Sequence, residues 1–110
     1  MCYRATRTGY AAYCRFDGLL EKQQNDVFTE VEREAISPLM WEAAHNGAWL
    51  SYETVAERVR DAVSVAEACL PLDAGHARAL SNVLPVRRRA CEQLQEVLVS
   101  LVRRGLLERK

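Results

Sequence analysis

Chemistry in a chain of 110 residues would have to come from two histidines, four cysteines and 15 basic against 15 acidic side chains. His45 and His76 do not stand at a spacing that builds a metal site. Cys2 and Cys14 have eleven residues between them, with no second pair of matching spacing. A Cys–His nucleophilic pair forms in space rather than along the chain. Cys69 and Cys91, however, lie inside apolar helical patterns, where a cysteine behaves as a small buried hydrophobe and a poor thiolate. Five scattered glycines form no phosphate-cradling loop. The expectation is a protein without catalytic residues, metal or cofactor, its cysteines reduced.

Charge carries more information than any motif. Formal net charge is zero, yet residues 1–16 sum to +3, residues 17–83 to −7 and residues 84–110 to +4. Basic ends around an acidic middle can draw a polyanion to one face while keeping the protein dissolved. Arg4, Arg7 and Arg15 supply the first basic segment, interleaved with Tyr3, Tyr10 and Tyr13. Arg87, Arg88, Arg89 and Arg103 lead the second.

The elements that must hold these groups are mostly helical. Thr29 and Glu32 form a capping-box signature ahead of Ile36, Leu39, Met40, Ala43 and Ala44, which recur at three- and four-residue spacing. Pro38 either kinks this helix or marks its first turn, with Ser37 as the cap. Asn46-Gly47 ends it. Ala48-Trp49-Leu50 is a short extended stretch, and Ser51 caps a second helix with the stripe Val55, Ala56, Val59, Val63, Ala66 and Leu70. Pro71 stops that helix, a short one spans His76 to Val83, and Pro85 interrupts it. The last helix carries Ala90, Leu94, Val97, Leu98 and Leu101 on one face and closes at Gly105. Leu106–Lys110 reads as a short strand or a tail. At the other end, Tyr10, Ala12, Cys14 and Phe16 alternate with Ala11, Tyr13 and Arg15. That period of two predicts an arm or hairpin over residues 1–18. The chain reads as one mostly α domain with minor β at both ends.

From Ile36 onward the order is helix, turn, extended Ala48-Trp49-Leu50, a helix opened by Ser51, and a long helix ending Leu98-x-x-Leu101-x-x-x-Gly105-Leu106-Leu107. Over residues 34–110 this resembles the winged helix-turn-helix superfamily. About 25 residues separate Arg60 from Val86, more than that family usually has between its second and third helices. An alternative register pairs Ser51–Val59 with Val63–Leu70. The sequence reaches Lys110 where the wing hairpin should turn back, so an incomplete wing is expected.

The resemblance implies a small DNA-binding transcriptional regulator, with Arg87, Arg88, Arg89, Arg103, Arg4 and Arg7 as contacts to double-stranded DNA. At 100° per residue, Arg88, Arg89 and Arg103 fall opposite the Leu94 stripe, together with Glu92 and Glu96. Val97, Val99 and Val102 widen the apolar face and predict a homodimer. The alternative is a protein–protein adaptor or inhibitor, a small accessory factor of a mobile element, that does not bind DNA. No run is long and apolar enough to cross a membrane, and the first residues lack a signal-peptide core, so a cytoplasmic protein is expected.

Overall fold

The computed structural model describes residues 1–14, 27–69 and 74–110, with the side chains of 69–81 left out of the description. Its elements run β1 (Cys2–Ala5), α1 (Arg7–Cys14), α2 (Glu30–His45), β2 (Leu50–Ser51), α3 (Tyr52–Cys69), α4 (Ala74–Glu92), α5 (Leu94–Arg103) and β3 (Leu107–Arg109). The fold is thus mostly helical, with a small three-stranded sheet built from the two ends of the sequence and β2.

Sheet order is β2-β1-β3, with both pairings antiparallel. Tyr3 faces Leu50 on one side and Arg109 on the other, and Ala5 faces Leu107. Alternation then sends Tyr3 and Ala5 inward while Cys2 and Arg4 look outward. One core receives the inward side chains. Tyr3, Leu50 and Leu107 join Ile36 and Leu39 of α2, Val55 and Val59 of α3, and Leu94, Leu98 and Leu101 of α5. Each of the larger ones contributes roughly 1.5–3 kcal/mol by leaving water.

Helix starts follow the expected chemistry. Thr29 Oγ1 accepts from the Glu32 amide at 3.1 Å, and Glu32 Oε1 accepts from the Thr29 amide at 2.9 Å. Ser51 Oγ accepts from the Thr54 amide at 3.1 Å and so opens α3. Gly47 (φ +64°) and Gly105 (φ +78°) take the left-handed conformation after α2 and α5, where a side chain would be strained. Helix α2 passes through Pro38 without a break, so its cap is Thr29 and not Ser37.

Three expectations need correcting. Residues 7–14 form a helix, not an arm or hairpin. Its buried residues are Gly9 and Ala12, one turn apart and too small to register in an apolar pattern, so the larger alternating residues misled. Thr6 fixes this helix: its hydroxyl accepts from the Gly9 amide at 3.0 Å and donates to the Gly105 carbonyl at 2.8 Å. Residues 15–18 of the expected arm, Arg15 among them, lie outside the described residues.

Pro85 does not interrupt its helix. Helix α4 runs from Ala74 to Glu92 through it, with Leu84 and Ala90 buried on either side. A proline inside a helix loses one hydrogen bond and strains the preceding turn, at about 3 kcal/mol, and packing against α2 and α3 offsets that cost. Nor is the last helix continuous: Gln93 breaks it between α4 and α5. The long spacing between Arg60 and Val86 is taken up by lengthening α3 and α4, which pack along each other.

Candidate nucleic-acid interface

The sequence nominated a row of arginines on α4, and the fold treats its three members differently. Arg87 turns inward. Its Nη1 donates to the Ala62 carbonyl at 2.9 Å, and its Nε stands 3.3 Å from Glu34 Oε2, buried and without a hydrogen bond. Arg88 is more than half exposed and meets Glu67 of α3 at 3.6 Å. Arg89 is exposed. Between Arg60 of α3 and Arg88 of α4 lies a shallow groove of about 370 Å³, lined also by Val63, Ser64, Cys91 and Glu92. Burial pushes the Cys91 thiol up, Arg60 pulls it partly back, and Glu92 adds to the rise.

The nominated residues at the ends of the sequence gather around the β1–β3 ladder. Arg4 Nε donates to Glu108 Oε1 at 2.7 Å, and the Arg4 guanidinium lies 4.4 Å from the centre of the Trp49 ring. Lys110 Nζ approaches the same ring at 4.7 Å. Arg7 opens α1 and Arg103 closes α5, both exposed. Thr6, hydrogen-bonded to the Gly105 carbonyl, brings those two helix ends together. Cys2 and Lys110 exchange two backbone hydrogen bonds, of 2.9 and 3.0 Å.

Sequence reasoning missed Trp49, Arg109 and Lys110 as members of this group. The charge sums held the signal, since both ends were basic, but only strand pairing brings them together. Arg104, also unnominated, reaches across to Glu32 of α2 at 3.1 Å.

A third feature lies between α2 and α3, where Arg87 of α4 reaches in. Trp41 is 55% exposed and stacks on His45 with ring centres 4.0 Å apart. It walls an open groove of about 450 Å³ whose other sides are Ser37, Pro38, Val59, Ala62, Arg58, Glu34 and Arg87. Arg58 is held from behind by Glu42, a buried carboxylate 3.1 Å away. Among the described residues no helix is long and apolar enough to cross a membrane, and no group of His, Cys, Asp and Glu could hold a metal ion.

These features define a small helical domain with a sheet that joins its two ends. No known protein family, curated protein or solved structure matches the chain.

Proposed function

We propose that this chain is a small DNA-binding protein of winged-helix type, acting as a cytoplasmic transcriptional regulator and not as an enzyme. The observation that carries the reading is the order of elements around the sheet. A strand (β2) leads into a helix capped by Ser51, and a later helix (α5) leads through Gly105 into β3. In the resemblance drawn from sequence, a returning wing strand would lie beside those two. Here β1 takes that central position, between β2 and β3. On this reading β1, from the start of the sequence, stands where the returning wing strand would lie.

A homodimer belongs to the same reading, although its surface is smaller than the apolar pattern suggested. Val97 is buried in the core, and Val99 and Val102 are half-buried. Val65 on α3, 60% exposed, is an additional apolar contact for a second copy.

The test is fluorescence anisotropy of a labelled mixed-sequence duplex titrated with the protein across a salt series. Binding at low salt whose logarithm falls linearly with the logarithm of salt is expected. No affinity at low salt would overturn the reading.

The second reading, a protein–protein adaptor, is favoured by Trp41. An exposed tryptophan beside an apolar groove is the kind of anchor on which protein interfaces concentrate their energy. A protein that ignores DNA but loses a partner on Trp41→Ala would fit it.

A further inference from the structure

We infer that the phosphate-contacting surface of this protein is the end of the molecule built by the β1–β3 ladder, not the arginine row of α4. The inference rests on the DNA-binding reading; of the contacts expected from sequence it keeps Arg4, Arg7 and Arg103, and it replaces Arg87, Arg88 and Arg89 with Arg109 and Lys110.

The sequence places its basic surplus at its two ends, in residues 1–16 and 84–110. Antiparallel pairing of β1 with β3 brings those ends into register, with Tyr3 against Arg109, Arg4 against Glu108 and Cys2 against Lys110. Within residues 1–7 and 103–110 stand Arg4, Arg7, Arg103, Arg104, Arg109 and Lys110, with Glu108 as the single acid. Arg4 and Arg104 have acidic partners, in Glu108 and Glu32. Arg7, Arg103, Arg109 and Lys110 are exposed and make no ion pair among the described residues. These cations surround the end of the sheet, Lys110 with Arg4 on its outer side and Arg109 on the side of Tyr3, and a local surplus of positive charge on a neutral protein attracts a polyanion.

The α4 row lacks that surplus. Arg87 is committed to Glu34 and the Ala62 carbonyl, and Arg88 faces Glu67. Glu92 shares the groove beside Arg88.

Trp49 gives the basic end its rigidity. Its ring is contacted by the Arg4 guanidinium and by Lys110 Nζ, and Glu108 holds Arg4 from the neighbouring strand. A cation resting on an indole ring keeps its charge while losing conformational freedom, so less entropy is lost when a phosphate arrives.

The experiment compares two charge reversals in the full chain. One joins Arg109→Glu with Lys110→Glu; the other joins Arg88→Glu with Arg89→Glu. All four side chains are exposed, and circular dichroism melting checks that both variants keep the fold. Titration with the labelled mixed duplex should give a log–log salt slope shallower by about 1.8 for the first variant, two contacts at about 0.9 each. The second variant should keep the parental slope. Parental binding that survives the Arg109/Lys110 reversal overturns the inference alone, as does an equal loss in the Arg88/Arg89 variant. Tighter binding to phosphatidylserine vesicles than to duplex also overturns it. A parent with no affinity for duplex overturns the DNA-binding reading and the inference with it.

Discussion

The sheet end and the packed α3–α4 pair both hold arginines on regular elements, but they hold them by different means. At the sheet end, residues from opposite ends of the sequence meet through backbone pairing, and positive charge accumulates because both segments are basic. Along α4, the helices packed beside it supply the acids, so Arg87 finds Glu34 of α2 and Arg88 finds Glu67 of α3. Charge between packed helices cancels here, whereas charge joined by distant strands adds. The contrast teaches that an arginine row in sequence is a weaker guide to an anion surface than the pairing of two separately basic segments.

The two regions also differ in how tolerant they are of change, and the largest expected effect lies at Gly9. A Cβ placed there would stand 1.9 Å from the Leu106 carbonyl oxygen, a backbone atom that cannot swing aside. Gly9→Ala should therefore push α1 off the turn that leads into β3, at about 3 kcal/mol, near the top of the usual range for overpacking. Urea unfolding would measure it. A loss below about 1 kcal/mol would mean that the sheet end is loosely packed and that its charges are not held together.

Helix caps give the next step down. Thr6→Ala removes a hydroxyl that both receives the Gly9 amide and reaches the Gly105 carbonyl, whereas Thr29→Ala removes a cap that only serves α2. We expect about 2 kcal/mol for Thr6 and about 1 kcal/mol for Thr29. If the two losses are equal, the link from Thr6 to the turn adds nothing and the comparison weakens.

How much of this was legible in the sequence varies with the kind of signal. The Thr29–Glu32 box, the Ser51 cap and the Gly105 stop are local hydrogen-bond chemistry, and each stands where its residue types put it. The α5 stripe was legible for the same reason, since Leu94, Val97, Leu98 and Leu101 are large and regularly spaced. Helix α1 was not, because its buried face is made of Gly9 and Ala12, which carry almost no hydropathy signal. Pro85 misled because a proline's cost is local while the packing that offsets it comes from other helices. The basic sheet end was half legible: composition gave the charge, but no local pattern announces that Tyr3 will face Arg109.

Ion pairs of α4 should matter less than caps, and unequally. Arg87 is about three-quarters covered and also satisfies the Ala62 carbonyl, so Arg87→Ala leaves both Glu34 and that carbonyl without it. About 1 kcal/mol is expected there. Arg88 and Glu67 are each more than half exposed, and Arg88→Ala should cost less than about 0.5 kcal/mol. Thermal unfolding of the two variants side by side would decide. A larger loss at Arg88 would mean that the outer groove is a structural element and not a solvated surface.

The smallest effect concerns Cys91, at the base of the groove beside Arg60 and Arg88. Burial raises its thiol pKa above the ordinary value, and Arg60 opposes the rise only in part. An unfolded cysteine ionises near pH 8.5. Above that pH the unfolded chain sheds a proton that the folded chain still holds, so the unfolded state gains and stability falls as pH rises. Below it both states hold the proton and the difference vanishes. Cys91→Ala should therefore lose less stability than the parent between about pH 8 and 10, once its packing cost at neutral pH is subtracted. Alkylation of the native protein should follow the same logic: exposed Cys14 should react before half-buried Cys91 at pH 8. A Cys91 that reacted first would mean that Arg60 and Arg88 outweigh burial. The outer groove would then be electropositive enough to compete with the sheet end for an anion, and the distinction between the two regions would fail.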